Sequence, residues 1–417
     1  MKQILKIWIK NIGKYGMLFL RWLLLGIVLG LVGGVGGTLF SKSIGFVTSL
    51  REQHHWLILL LPVGGIITVT VYKLCKISGV GTNQVFESAR EEKSVSPWLA
   101  PAVFVCSCLT HLFGGSAGRE GAALQLGGGV ASLFAKIFRL DEKTRHIAVL
   151  CSMGAFFSAI FGTPLGAFVF ALEVVCVGQL CAAAIFPALV ASVTAFFVAH
   201  SLGAEAERFV IEKVPELSLQ TFVQVFVLAM VGAFVSVVFC YTIKYTSRFF
   251  KKWLVNEYLR TVVGAVLIIL LTWAVGTMDY NGGGIDVILR IFETGEVRGE
   301  AFALKIIFTA ITIAAGFKGG EIVPTLFIGA TFGAVFGGLV GLSPAFAAAL
   351  GMAALFCGVT NCPLATIFLC IEMFGAQGSI YFALAAVVSF LLSGYVSLYS
   401  GQKFFFSKWM DELKVID

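Results

Sequence analysis

The run Gly114-Gly115-Ser116-Ala117-Gly118-Arg119-Glu120-Gly121 surrounds one arginine–glutamate pair with small residues. Glycines ahead of a helix let its free N–H groups approach a ligand closely. The positive end of that helix then favours an anion. A carboxylate seated at the same helix start competes with the anion for one site. Glu120 can therefore act as a gate. Ionised, it fills the site; protonated, it leaves and carries a proton. The bland alternative is a glycine-rich packing turn in which Arg119 and Glu120 pair with each other. An ionisable residue deep in an apolar chain points to function instead.

A second run of the same kind is Gly316-Phe317-Lys318-Gly319-Gly320-Glu321-Ile322-Val323-Pro324. Paired glycines again precede a helix start, with proline near the first turn, where its missing N–H costs little. A weaker third signal is Ser78-Gly79-Val80-Gly81-Thr82-Asn83, with alternating glycines before an expected helix.

The elements that must position these runs lie in a bilayer. The chain has 417 residues, 58% hydrophobic and only 13% charged, where a soluble domain carries about 25% charged residues. Its mean hydropathy is +0.94. Runs that meet or approach the roughly 20 residues needed to cross hydrocarbon are Trp22 to Phe40, Trp56 to Tyr72, Phe222 to Cys240, Val262 to Val275 and Tyr381 to Tyr395. The fold class expected is an all-α polytopic membrane protein.

The net charge of +7 fits membrane orientation better than nucleic acid, because no basic stripe with interleaved aromatics occurs in a soluble stretch. Lys2, Lys6, Lys10 and Lys14 would line one helical face, so residues 2 to 14 read as an interfacial helix on the cytoplasmic side. A secretory signal is the competing reading; the following apolar run is too long for it. Ten cysteines sit mostly in apolar runs without paired spacing, and five histidines form no ligand cluster, so neither a metal nor a cofactor is expected. Nothing supports an enzyme either: no nucleophile with a base and no metal-ligand cluster stands out.

The chain repeats itself. CSMGAFFSAIFGTPLGAFVFALE (151 to 173) matches LGMAALFCGVTNCPLATIFLCIE (350 to 372) at an offset of 199, aligning Pro164 with Pro363 and Glu173 with Glu372. Upstream, Glu120 and Glu321 lie 201 apart. Weak symmetry of this kind builds many transporters, often with the halves inverted, and short interrupted segments at matching places mark a midplane site. Such segments are Pro101 to Phe113, Gly121 to Ala135, His146 to Phe161 and Pro164 to Val177. The expected division is 1–200 as the first repeat, 201–218 as a charged linker and 219–417 as the second repeat with a short cytoplasmic tail. A polar excursion at 276–300 reads as an extramembrane loop with a short helix.

These motifs, in this order, resemble the CLC family of anion channels and proton-coupled antiporters over essentially the whole chain. The matching pieces are GSAGREG at 115–121, the GGxxxP segment at 319–324 and the G-x-G loop at 79–81. The resemblance implies two inverted halves with discontinuous helices, a multi-pass protein of the bacterial plasma membrane, a homodimer with one anion pathway per subunit, and Glu120 as the gating glutamate. It implies anion contacts from Gly79, Val80, Gly81, Arg119, Gly121, Glu321, Ile322, Val323 and Tyr399, the last from the family's Leu-Tyr-Ser segment at 398–400; a belt tyrosine at the membrane interface is the alternative. The short tail implies that the cytosolic nucleotide-binding modules of larger members are missing.

Departures narrow the branch. Val80 stands where chloride-handling members place a coordinating serine, and Asn83 replaces a proline. Val174 follows Glu173 where chloride antiporters have a second glutamate for the inner proton path. Glu321 takes a usually apolar place. Together these look like the fluoride-exporting branch. Fluoride is a strong hydrogen-bond acceptor, and a neutral carboxyl can donate to it. The expectation is a fluoride/proton antiporter whose partners are fluoride or chloride, protons and lipid. The alternatives are a chloride/proton antiporter or a passive chloride channel of the same fold. Glu321 paired with Lys318 at a helix end is the bland reading of that residue.

Overall fold

The computed structural model describes residues 2–77, 81–90, 93–410 and 413–416, and side chains between residues 15 and 410 of these. Helix α1 (Lys2–Gln53) is continuous over 52 residues. At 1.5 Å per residue it is about 78 Å long, well beyond a hydrocarbon layer of about 30 Å. The helix expected at 2–14 is thus the first part of α1, and its side chains lie outside the described ones. A 3₁₀ segment, His55–Leu60, leads into α2 (Leu61–Leu74); α3 (Gly81–Ala89), α4 (Leu99–Leu112), α5 (Glu120–Ile137), α6 (Glu142–Phe161), α7 (Pro164–Glu173) and α8 (Ala182–Ser201) complete one set of eight. The second set is α9 (Leu219–Trp253), α10 (Glu257–Val275), α11 (Ile285–Thr294), α12 (Ala301–Ala315), α13 (Ile322–Val340), α14 (Pro344–Thr360), α15 (Pro363–Phe374) and α16 (Ser379–Leu392).

Among the described residues, seven helical stretches are long and apolar enough to cross a membrane. One is α6, which corrects the sequence reading of His146–Phe161 as too short. Asp141 accepts a hydrogen bond from the Thr144 backbone N–H and extends the helix back through its polar first turn. Large apolar side chains face outward, as lipid allows: Trp273 is 84% exposed and Leu339 80%.

The two sets run in opposite senses. Basic residues cluster before the apolar part of α1, at Lys2 to Lys14, but at the end of α9, at Lys244, Arg248, Lys251 and Lys252. With basic ends on the cytoplasmic face, α1 exits outward and α9 inward. Helices α7 and α15 show the inversion in atomic detail. The Glu372 carboxylate at the end of α15 accepts from Leu165 N (3.0 Å) and Gly166 N (2.8 Å) at the start of α7. The Glu173 carboxylate at the end of α7 accepts from Leu364 N (3.2 Å) and Ala365 N (2.8 Å) at the start of α15. Each proline at the helix start removes one donor, and the partner's glutamate satisfies the next two. This is why the repeat keeps Pro-Leu and a glutamate nine residues on.

Small residues let the long helix lie close to its neighbours. A Cβ at Gly30 would fall 2.6 Å from Thr194 Cβ of α8, and one at Gly33 would fall 2.6 Å from Ala155 Cβ of α6. A small sheet joins the two halves: β1 (Cys176–Val177) pairs parallel with β2 (Lys403–Phe406), which pairs antiparallel with β3 (Leu413–Ile416). Residues 202–218 hold neither helix nor strand. The 276–300 segment contains α11 as expected, but its first part turns inward. Tyr280 and Asn281 are 1% and 2% exposed, held because the buried Lys305 ammonium donates to the Tyr280 and Gly282 carbonyls at 3.1 and 2.8 Å. Reading it as an outside loop missed this anchor, 23 and 25 residues downstream of the carbonyls it holds.

Candidate functional site

The Gly114–Gly118 loop comes from the first half, yet the second half holds it. Asn281 Nδ2 donates to Gly114 O at 2.8 Å, and Gly282 N donates to Gly115 O at 3.0 Å. Ser116 N donates to Thr312 Oγ1, and its hydroxyl meets Thr309 Oγ1, both at 3.0 Å. Gly118 and Gly320 then exchange two backbone hydrogen bonds, at 2.7 and 2.6 Å, in an isolated antiparallel bridge. Only residues without Cβ allow this approach: a Cβ on Gly121 would sit 2.6 Å from Gly320 Cα.

That bridge brings two helix starts together, Glu120 opening α5 and Glu321 immediately preceding α13. A Cβ on Gly121 would also lie 3.3 Å from Glu321 Oε2, and one on Gly118 would lie 2.9 Å from Glu120 Oε2 and 2.8 Å from Val323 Cβ. Glu120, Glu321, Gly121 and Val323 therefore surround one spot, and Ile322 is fully buried beside them. Both helices bring free N–H groups and a positive end to this spot, which suits an anion.

Glu120 is 0% exposed. Its carboxylate accepts from Arg119 N at 3.0 Å and from Arg119 Nε at 3.2 Å. The guanidinium also donates through Nη1 to Ser41 Oγ at 2.8 Å and through Nη2 to Glu207. Arg119 and Glu120 do pair, but beside an open cavity and not inside a closed turn. The cavity, of about 440 Å³, is lined by Arg51, His111, Arg119, Glu120, Asn281 and Val323 among others. It lies at the end of α1 opposite the basic residues, hence on the outer face.

Lys318 does not pair with Glu321. Its ammonium stands 4.1 Å from the centre of the Tyr72 ring, which corrects the paired reading. A cation over an aromatic face gains stabilisation without a carboxylate.

Tyr399 is 4% exposed, and its hydroxyl has no hydrogen-bond partner among the described residues. It lies within electrostatic reach of both Glu321 and Glu120, and its ring packs edge-on against Phe86 at 5.3 Å. It is no belt tyrosine. Asn83 fixes its segment, donating to Ser400 Oγ and accepting from Gly401 N, both at 2.8 Å. Gly81 begins α3, where a Cβ would meet Leu99 Cδ1 at 3.0 Å. Gly79 and Val80 lie outside the described residues.

Sequence reasoning missed Glu207, Asn281, Lys305 and the anchoring role of Asn83. Each acts across a long chain separation, and no local pattern announces it. Glu173, which the repeat aligns with Glu372, is committed to the start of α15.

Known proteins are similar to this chain in sequence and fold. A model of the voltage gated chloride channel family matches residues 64–394. A chloride/fluoride channel protein of Pseudomonas syringae pv. tomato is 33% identical over 396 residues, 93% of this chain and 87% of that one. An H+/Cl− exchange transporter of Vibrio campbellii is 25% identical over 84% of this chain and 81% of its own length. The crystal structure of a CLC-type fluoride/proton antiporter superposes with a TM-score of 0.88 at 34% identity, covering 92% of this chain and 98% of that one. A slow cyanobacterial Cl−/H+ antiporter, 21% identical over 89% of this chain and 94% of that one with a TM-score of 0.76, shares the fold.

Proposed function

This chain belongs to the CLC family of voltage gated chloride channels, and from that premise we propose that it exports cytoplasmic fluoride in exchange for external protons. The observation that carries the proposal is the convergence of two carboxyls, the buried Glu120 and the half-buried Glu321, at facing helix starts near a tyrosine hydroxyl with no partner among the described residues.

In this reading Glu120 is the gate. Ionised, it occupies the positive end of α5 and holds Arg119. A proton arriving through the outer cavity removes its charge and weakens its charge-assisted hydrogen bonds, so the side chain is free to move and an anion replaces it. Glu321 in its neutral form donates a hydrogen bond to fluoride, and the Tyr399 hydroxyl offers a second donor. The N–H groups of Gly121, Ile322 and Val323 supply the helix-start donors, with Arg119 adding charge at the outer side. The resemblance assigns further anion contacts to Gly79, Val80 and Gly81, and by its type Val80 offers no hydroxyl. Glu173 is occupied as a helix cap, which supports a proton path that does not use it.

The proposal includes the division into 1–200, 201–218 and 219–417, a homodimer in the bacterial plasma membrane, and no enzymatic step or cofactor. Cross-linking in lipid tests the dimer; monomer alone counts against it. The decisive experiment is reconstitution into liposomes with fluoride and chloride efflux followed by ion electrodes, with and without a proton gradient. Fluoride efflux that drives protons inward is expected. Efflux of chloride in preference to fluoride moves the protein to the chloride reading.

A further inference from the structure

Arg119 has partners on two sides. Toward the site its Nε donates to Glu120 at 3.2 Å; away from it, Nη2 donates to Glu207, and Nη1 reaches Ser41 at 2.8 Å. Side chains of Arg119 and Glu207 are only 20% and 10% exposed. Arg119 lines the outer cavity, whereas Glu207 sits behind it and does not. Glu207 is also fixed in place. Its own N–H donates to Phe161 O, the last residue of α6, at 3.1 Å. Two residues on, Phe209 N donates to Met373 O of α15 at 2.9 Å. Ala206 packs on Gly162, whose φ of +73° forms the break between α6 and α7. The stretch between α8 and α9 is therefore stitched to both halves, and it delivers one carboxylate to the back of the arginine.

We propose that Glu207 is a positioning residue for the exchange: it is the permanent counter-ion that keeps Arg119 beside the site and neutralised whenever Glu120 swings away. This rests on the reading of Glu120 as a moving gate. A guanidinium largely out of water needs a negative partner. Among the described residues Arg119 pairs with two carboxylates, Glu120 and Glu207; with one displaced and the other removed, the transported anion takes their place, and Arg119 holds it instead of releasing it. Glu207 thus sets how tightly the outer end of the path grips its ion. It touches neither the ion nor Glu120 and acts through Arg119.

The test separates grip from damage. Fluoride binding is titrated by calorimetry on the purified full-length protein, and exchange is measured in liposomes. Glu207→Gln is expected to bind fluoride about tenfold more tightly and to exchange it about tenfold more slowly, the scale of one charge-assisted hydrogen bond redirected. Glu207→Asp keeps the charge at a longer reach and shows the same split at about two- to threefold, and it carries the test if the glutamine variant does not fold. Loss of a merely structural contact would slow exchange without tightening binding. Binding unchanged within about twofold, or weakened, in both variants overturns the assignment. The titrations are repeated with chloride. A parent that binds only chloride defeats the fluoride reading, while the Glu207 split is still read on that ion.

Discussion

Two pairs of glutamates descend from the same duplication and meet opposite fates. Glu173 and Glu372 end α7 and α15, and each carboxylate is consumed by two backbone N–H groups of the other helix. Glu120 begins α5 and Glu321 immediately precedes α13, both facing one spot next to an outer cavity, and what Glu120 accepts comes from the backbone N–H and the guanidinium of Arg119. Position on the helix decides the difference. A glutamate at a helix end is remote from its own positive pole and can serve only a neighbour's. A glutamate at a helix start sits where an anion would sit, and so competes with it. Buried carboxylates are thus no single signal; what they face assigns them.

The comparison can be broken most sharply at the gate. Glu120→Gln mimics the protonated side chain but cannot cycle a proton, so proton movement driven by a fluoride gradient should vanish in liposomes. Pumping at the parent rate would remove Glu120 from the gating role. A smaller but still large effect is expected at its counterpart. Glu321→Gln preserves volume and a donor, so the fold should persist while exchange slows about tenfold or loses proton coupling. Unchanged rate and coupling would make Glu321 a helix-start charge and move the chloride reading ahead.

The capping pair should respond in the opposite currency. Glu173→Leu or Glu372→Leu strands two N–H groups, at a cost of about 2–4 kcal/mol in stability. Thermal unfolding in detergent should register that loss, while whatever protein remains folded keeps its proton coupling. Coupling lost at full stability would erase the distinction between the pairs. Smallest of all is Lys318→Met, which removes a cation from the Tyr72 face worth about 1 kcal/mol. Exchange within about threefold of the parent is expected, and a complete loss would show that Lys318 serves the site.

Much of this was legible in the sequence because the site is built from local runs that recur. The 201-residue offset between Glu120 and Glu321 and the shared Pro-Leu-to-glutamate spacing are visible without any structure. Their role is not, since matching Glu173 to Glu372 says nothing about the antiparallel placement that makes each cap the other. Glu207 was hidden for a related reason. Its stretch, SLGAEAERFVIEKVPELS, reads as a solvated connector by composition, and the Arg119 that claims it lies 88 residues earlier. Asn83 looked only like a missing proline, because its partners Ser400 and Gly401 are more than 300 residues away. Periodicity reports what a helix buries, but it cannot report which distant backbone a single polar side chain will hold.

The Gly118–Gly320 bridge has a consequence for synthesis. Its two strands are about 200 residues apart in the chain, and a ribosome adding roughly 5–20 residues per second takes about 10 to 40 seconds between them. Throughout that interval the first half stands in the membrane with Gly118 unpaired and Ser116 lacking Thr309 and Thr312. Neither backbone group of Gly118 finds its mate until the second half arrives. The ion path therefore does not exist in any nascent intermediate, and a membrane accumulating half-made copies is not made leaky by them.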